Sequence, residues 1–144
     1  LFRLVGSEMC IRDRDKLSDA FVNTAKKLDS NIDSQILEKY RNAPYRAPLV
    51  IVLVSDTKEH PKVPVIEQQL STAAAGQNML LAFHEMGFAG IWRTGKFSFN
   101  KEISAELDLK ESEIVIGYLY IGTADGKAKK IPDLKTKDFV TIWK

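Results

Sequence analysis

Apolar positions along the chain alternate between two periods, and the switches mark the elements. Leu17, Phe21, Ala25 and Leu28 recur at helical spacing, with Lys26 and Lys27 at the C-terminal end, where cations suit the helix dipole. Asn31 is placed to cap a second helix carrying Ile32, Ile36, Leu37 and Tyr40. Pro44 and Pro48 stop it, because a proline pushes the preceding residue out of the helical region. Residues 49–54 are a continuous apolar, β-branched run, the pattern of a strand covered on both faces. A polar loop follows, and residues 66–86 then read as the longest helix. Its middle carries almost no charge, which predicts burial on nearly all sides. Gly87 suits the left-handed position that closes this helix, with Phe88 reaching back to Phe83. A short strand over 89–94, a helix capped by Asn100 and running through Ile103 and Leu107, and a second long buried strand over 114–121 complete the regular part. The apolar run 139–143 reads as a terminal strand without a hairpin partner, suited to the sheet edge of another chain. Strands alternating with helices predict helices packed over a central sheet.

Length and composition narrow the function without choosing it. A chain of 144 residues supports one domain with a real core. The net charge of +2, with no interleaving of basic clusters and exposed aromatics, argues against a nucleic acid partner. One cysteine, Cys10, cannot form an internal disulfide, which points to a reducing, cytoplasmic setting. Neither His60 nor His84 has a second ligand at metal-binding spacing, so no metal site is expected. No apolar run is long enough to span a bilayer. Residues 1–14 follow neither period and are expected to be a non-native or disordered segment ahead of a domain at 15–144.

The densest chemical signal is Gly87-Phe88-Ala89-Gly90-Ile91-Trp92-Arg93-Thr94-Gly95, directly after the long helix. Three glycines and an arginine in an otherwise apolar helix-to-strand turn sacrifice chain entropy, which makes sense where something flat approaches the backbone. This run, with Glu67-Gln68-Gln69-Leu70-Ser71, Gly117-Tyr118-Leu119-Tyr120-Ile121-Gly122-Thr123, the stretch from Arg41 through Pro44 to Leu49, and His60 to Pro64, resembles the FMN-dependent nitroreductase family. Within it, the likeness is to the small bacterial NAD(P)H nitroreductases of the YdjA type, and it runs from about Lys39 to Trp143.

The resemblance implies an α+β fold, a three-layer α-β-α sandwich around a central mixed sheet. It further implies a homodimer with the long helix and the C-terminal strand at the interface and FMN bound between subunits. Trp92, Arg93, Thr94 and Gly95 match the segment that lines the flavin, and Ala82, Phe83, His84, Glu85, Met86 and Gly87 match a stretch assigned to NAD(P). The family's N-terminal Arg-Arg-Ser segment and Pro-Trp-His strand have no counterpart, so the domain is expected to lack its FMN-phosphate segment. Catalytic residues are not assigned by this likeness.

On the residues themselves, Arg93 suits an oxyanion or an anionic reduced flavin. Backbone N–H groups near Thr94 and Gly95 are candidate donors to the ring, and Trp92 serves either as a flavin wall or as core. His84 reads as structural and His60 as surface; Lys129 and Lys130 ahead of Ile131 form a secondary candidate for phosphate, while Lys127, Lys129 and Lys130 together otherwise read as a solvated loop. The implied activity is hydride transfer from NAD(P)H through flavin to a nitroaromatic, quinone or similar small-molecule acceptor. The competing expectation is a truncated, non-catalytic dimerising domain that no longer binds flavin.

Overall fold

The computed structural model describes residues 11–126, 130 and 132–143. Cys10, Lys127, Lys129 and Ile131, and with them the expectations about residues 1–10, lie outside the described residues. The elements in order are α1 (Ile11–Leu28), α2 (Ser34–Arg41), β1 (Leu49–Asp56), α3 (Val65–Glu85), β2 (Ala89–Arg93), α4 (Lys101–Glu106) and β3 (Glu113–Gly122), with short 3-10 turns between some of them. α1 begins at Ile11, before the first residue that its apolar period picks out.

Local chemistry sets most of the boundaries. α2 is capped by Asp33, not Asn31: the Asp33 carboxylate accepts from the backbone N–H groups of Gln35 (2.7 Å) and Ile36 (3.4 Å). Asn31 is held in the preceding turn, its N–H donating to the Asp29 carboxylate at 3.0 Å, so it precedes the helix instead of starting it. At the end of α3 the Phe88 N–H donates to the Phe83 carbonyl (2.9 Å) and the Gly87 N–H to the His84 carbonyl (3.0 Å), with Gly87 at φ +84°. This is the closure the sequence predicted, and the Phe83 and Phe88 rings meet edge-on at 6.5 Å. Asn100 caps α4 by accepting from the Ile103 N–H at 2.9 Å.

The sheet has the order β1-β3-β2, and β3 pairs antiparallel with both neighbours. The mixed sheet expected above is therefore antiparallel in every described pairing. β1 and β2 run the same way, but β3 lies between them, so like-directed strands never adjoin. Between Leu53↔Gly117 and Val54↔Val115 the register shifts, leaving Ile116 as an extra residue. That bulge bends β3 locally and increases its twist.

Each face has its own core. Val50, Val54, Val115, Tyr118 and Tyr120 pack with Leu17, Phe21 and Ala25 of α1 and Ile103 of α4. On the opposite face Leu53, Ile116, Leu119 and Ile121 pack with Ala73, Met79, Leu80 and Phe83 of α3, and with Trp92. α3 departs from its expected burial. Only Thr72 and Gly76 are fully buried along it, while Ile66 and Leu70 are 57% and 59% exposed. One face of a three-stranded sheet covers a single stripe of a helix, and the remaining apolar stripe of α3 faces outward in the single chain. The run 139–143 forms no strand, and Trp143 at its end is 92% exposed.

Candidate functional site

Alternation along β2 separates its two most informative side chains, since neighbours on a strand point to opposite faces. Trp92 points toward α3. Its indole fills a slot between two glycines: a Cβ on Gly76 would lie 2.8 Å from its Cζ3, and one on Gly117 would lie 2.8 Å from its Cε2. Of the two roles open to it in sequence, the side chain takes the core one. Arg93 points to the other face, and beyond it the chain turns through Thr94 and Gly95, the latter at φ +77°.

A cleft of about 450 Å³ opens on that face. Its walls are Arg93, Thr94, Gly95, Lys96 and Phe97 from the end of β2 and the following turn, Lys39 and Tyr40 from α2, Ala43 and Arg46 from the turn after it, and Phe21, Tyr118 and Tyr120 beneath. Phe97 anchors the turn. It stacks on Phe21 with ring centroids 4.3 Å apart and meets Tyr40 edge-on at 4.8 Å. The buried Tyr118 hydroxyl donates to the Phe97 carbonyl at 2.5 Å. A second, shallower cleft shares Arg46, Arg93 and Tyr120 with the first and continues to Gly90, Gly122 and Thr123.

The electrostatics of the main cleft are one-sided. Lys39, Arg46, Arg93 and Lys96 line it, and among the described residues no carboxylate does. Among the described residues the ion pairs are Lys27–Glu106, Arg41–Asp19 and Arg41–Glu38, so none involves these four cations. Two of the four lie over rings: the Arg93 guanidinium is 5.9 Å from the Tyr120 centroid, and Lys96 Nζ is 5.1 Å from the Tyr40 centroid. Burial pushes the Tyr120 hydroxyl above its ordinary pKa, and the nearby charges of Arg46 and Arg93 pull it partly back. Tyr118 is also raised, mainly by burial. An aromatic cleft with excess positive charge concentrates anions and holds flat rings.

Set against the sequence expectations, Arg93, Thr94 and Gly95 come together on this cleft and Trp92 braces the strand from behind. Ala82, Phe83, His84, Glu85, Met86 and Gly87 line neither cleft; His84, Glu85 and Met86 are exposed at the end of α3, on the other face of the sheet. His60 is exposed, as expected, and its Nδ1 accepts from the N–H groups of Lys62 and Val63 at 3.2 and 3.1 Å. Lys130 is exposed and lines neither cleft. Sequence reasoning missed Lys39, Tyr40, Arg46, Lys96, Tyr118 and Tyr120 as cleft residues. Tyr118 and Tyr120 sit at period two on one strand face, a signal that two-sided burial of the strand hid. Among the described residues no cluster of potential metal ligands occurs, and no helix is long and apolar enough to cross a membrane.

The sequence profile of the nitroreductase family matches residues 9–123, from the start of α1 through β3. The chain belongs to the nitroreductase family. It is 38% identical over 114 residues to the Escherichia coli K12 protein named "Putative NAD(P)H nitroreductase YdjA", an alignment covering 77% of this chain and 61% of that relative. The chain thus spans about three-fifths of the length of this curated relative. Among solved structures it is similar to a nitroreductase-like family protein from Bacillus cereus, at 22% identity and TM-score 0.69, covering 90% of this chain and 67% of the other. A nitroreductase with bound FMN from Bacteroides fragilis is similar at 24% identity and TM-score 0.58, with 90% and 71% covered. These structural likenesses establish the fold. The matched span contains the Arg93–Gly95 turn and every other wall of the main cleft.

Proposed function

We propose that this nitroreductase-family chain is part of an FMN-dependent oxidoreductase and that the Arg93–Gly95 cleft is its flavin side. The observation carrying this reading is the convergence of an open glycine turn, unpaired arginines and aromatic walls on one cavity. A Cβ built on Gly95 meets nothing within 4 Å, so the backbone there is open to a close ligand. Arg46 and Arg93 supply positive charge without a carboxylate to quench it among the described residues. The residues present therefore fit a flat, anionic cofactor.

The chemistry FMN supplies when bound is hydride acceptance from NAD(P)H and electron delivery to a nitroaromatic, quinone or similar acceptor. This chain's residues have simpler tasks. Arg93 presents a guanidinium fork that favours an anion beside it. Backbone N–H groups at Thr94 and Gly95 offer hydrogen bonds that side-chain motion does not disturb. Trp92, wedged between Gly76 and Gly117, holds β2 in register so that Arg93 is presented at a fixed depth. Phe97 and Tyr118 lock the floor of the turn.

We further propose the three-layer α-β-α arrangement of the family, a homodimer, and a cytoplasmic setting. Support for the dimer comes from the outward apolar stripe of α3 and from Phe139, Val140, Ile142 and Trp143, all exposed in the single chain. A dimerising domain without flavin is the weaker reading, because it assigns no task to the unpaired cations of the cleft.

The test is an absorbance spectrum of the purified chain after mixing with FMN and desalting. Flavin retained near one per chain by the native sequence, and largely lost in Arg93→Ala, is the expected result. A colourless native protein would overturn the assignment of this cleft.

A further inference from the structure

The four cations of the main cleft are not one cluster. They sort onto two tyrosines. Arg93 lies over the Tyr120 ring, and Arg46 is near enough for its charge to act on the same hydroxyl. Lys96 lies over the Tyr40 ring, and Lys39 is the neighbouring residue on α2. We propose that Lys39 and Lys96 form a second anion subsite at the Tyr40 end of the cleft, which receives a phosphate or carboxylate of the substrate and not of the flavin. This rests on the oxidoreductase reading above and names a substrate class within it.

Charge balance is the first argument. The chain carries a net charge of only +2, yet four cations line one cavity that no carboxylate among the described residues lines. Arg41, on the same helix as Lys39, is by contrast matched, reaching both Asp19 and Glu38 at 3.7 Å. A phosphate monoester carries close to two negative charges at neutral pH, which one arginine pair matches. The lysine pair is then left over, and like charges facing one cavity repel unless an anion joins them.

Geometry is the second argument. Lys96 directly follows Gly95, so an anion between the two lysines lies beside the turn proposed to meet the flavin. That is where a reacting substrate belongs. The Tyr40 ring restrains the Lys96 ammonium, and Phe97 in turn holds Tyr40 edge-on at 4.8 Å, so the subsite is braced by buried structure. A compact ammonium pair recognises phosphate or carboxylate as point charges without demanding a fixed bidentate geometry.

The experiment uses the full chain and the Lys39→Gln, Lys96→Gln and double variants, each titrated calorimetrically with and without FMN. Two pairs of probes distinguish the source of the anion. NADH against reduced nicotinamide riboside reports a donor phosphate, and 4-nitrobenzoate against 4-nitrobenzyl alcohol reports an acceptor carboxylate. The double variant is expected to weaken the charged member of one pair by about tenfold, as for loss of a charge-assisted contact, and to leave its uncharged partner within about twofold. Whichever pair responds identifies the source. If neither pair responds, the proposal is overturned. It is equally overturned if the double variant loses FMN as Arg93→Ala does, since the lysines would then belong to the flavin. Should the native chain retain no flavin, the flavin assignment fails by itself, and the charged-against-uncharged comparison on the flavin-free chain still decides the subsite.

Discussion

Gly117→Ala probes the slot that ties the core to the site. A Cβ at this position would lie 2.8 Å from Trp92 Cε2 and 3.0 Å from Cδ1, and it would press on the indole nitrogen as well. Carbon contacts are comfortable at about 3.5–4.0 Å, so the ring must shift by several tenths of an ångström. Movement toward α3 is opposed. Its far edge already occupies the space over Gly76, where an added Cβ would sit 2.7 Å from Leu53 Cδ1 and 2.8 Å from Trp92 Cζ3. Overpacking of this kind costs about 1–3 kcal/mol. For a domain of this size that corresponds to roughly 3–10 °C in Tm. Urea denaturation followed by circular dichroism reads it directly, as a lower midpoint with an unchanged slope. The companion variant is Trp92→Phe, which removes the offending ring. The double variant should recover at least about 1 kcal/mol relative to additivity, as expected for residues in contact. Gly95→Ala is the control: its cost is the left-handed backbone alone, about 1–2 kcal/mol, and Trp92→Phe should not relieve it. A Gly117→Ala protein within about 0.5 kcal/mol of native, or one that Trp92→Phe fails to rescue, would refute the reasoning.

Tyr118→Phe strips the buried Phe97 carbonyl of its donor and should cost about 1–3 kcal/mol at neutral pH, measured by denaturant unfolding. Burial raises the Tyr118 pKa, so its contribution is whole below the unfolded value near 10.0 and is lost as pH rises toward the folded one; the variant should show a flatter alkaline limb. Glu106 accepts from Lys27 and Asn23, and these bonds, the lysine first, hold its carboxyl below the ordinary 4.5. Its stabilisation is therefore present above that value and fades as pH falls through the folded pKa. Glu106→Gln should lose about 0.5 kcal/mol near pH 7, a figure discounted for solvent screening, and converge with native in acid. Light scattering at micromolar concentration should give a dimer, and Leu70→Lys on the exposed stripe of α3 should shift it to monomer; a native monomer would remove the basis for the proposed interface.

Much of the fold was legible because local rules act alone in places. The Gly87–Phe88 closure of α3 and the Asn100 cap of α4 depend on hydrogen bonds within a few residues, and sequence spacing predicts them. At the start of α2 spacing failed: Asp33 takes the cap expected of Asn31, because the neighbouring Asp29 carboxylate holds Asn31 in a turn. The nearly uncharged middle of α3 predicts burial, but within one chain the sheet covers only part of it. The Arg93-Thr94-Gly95 turn was legible as a glycine-bearing turn after a strand, yet the side of the strand on which Trp92 and Arg93 fall depends on pairing with β3.

The sequence by itself determined the family, through motifs that resemble it, and the order of elements from α1 to β3 with the glycine turn, since these elements follow from periodicity and from residues with narrow backbone preferences. Only the tertiary structure decided that Lys39 and Arg46, before β1, line the same cleft as Arg93 and Lys96, at and after the end of β2. It also set Trp92 behind the strand rather than in front of it. The reason is that charge convergence and strand facing are properties of long-range packing, which is not written in any one window of residues.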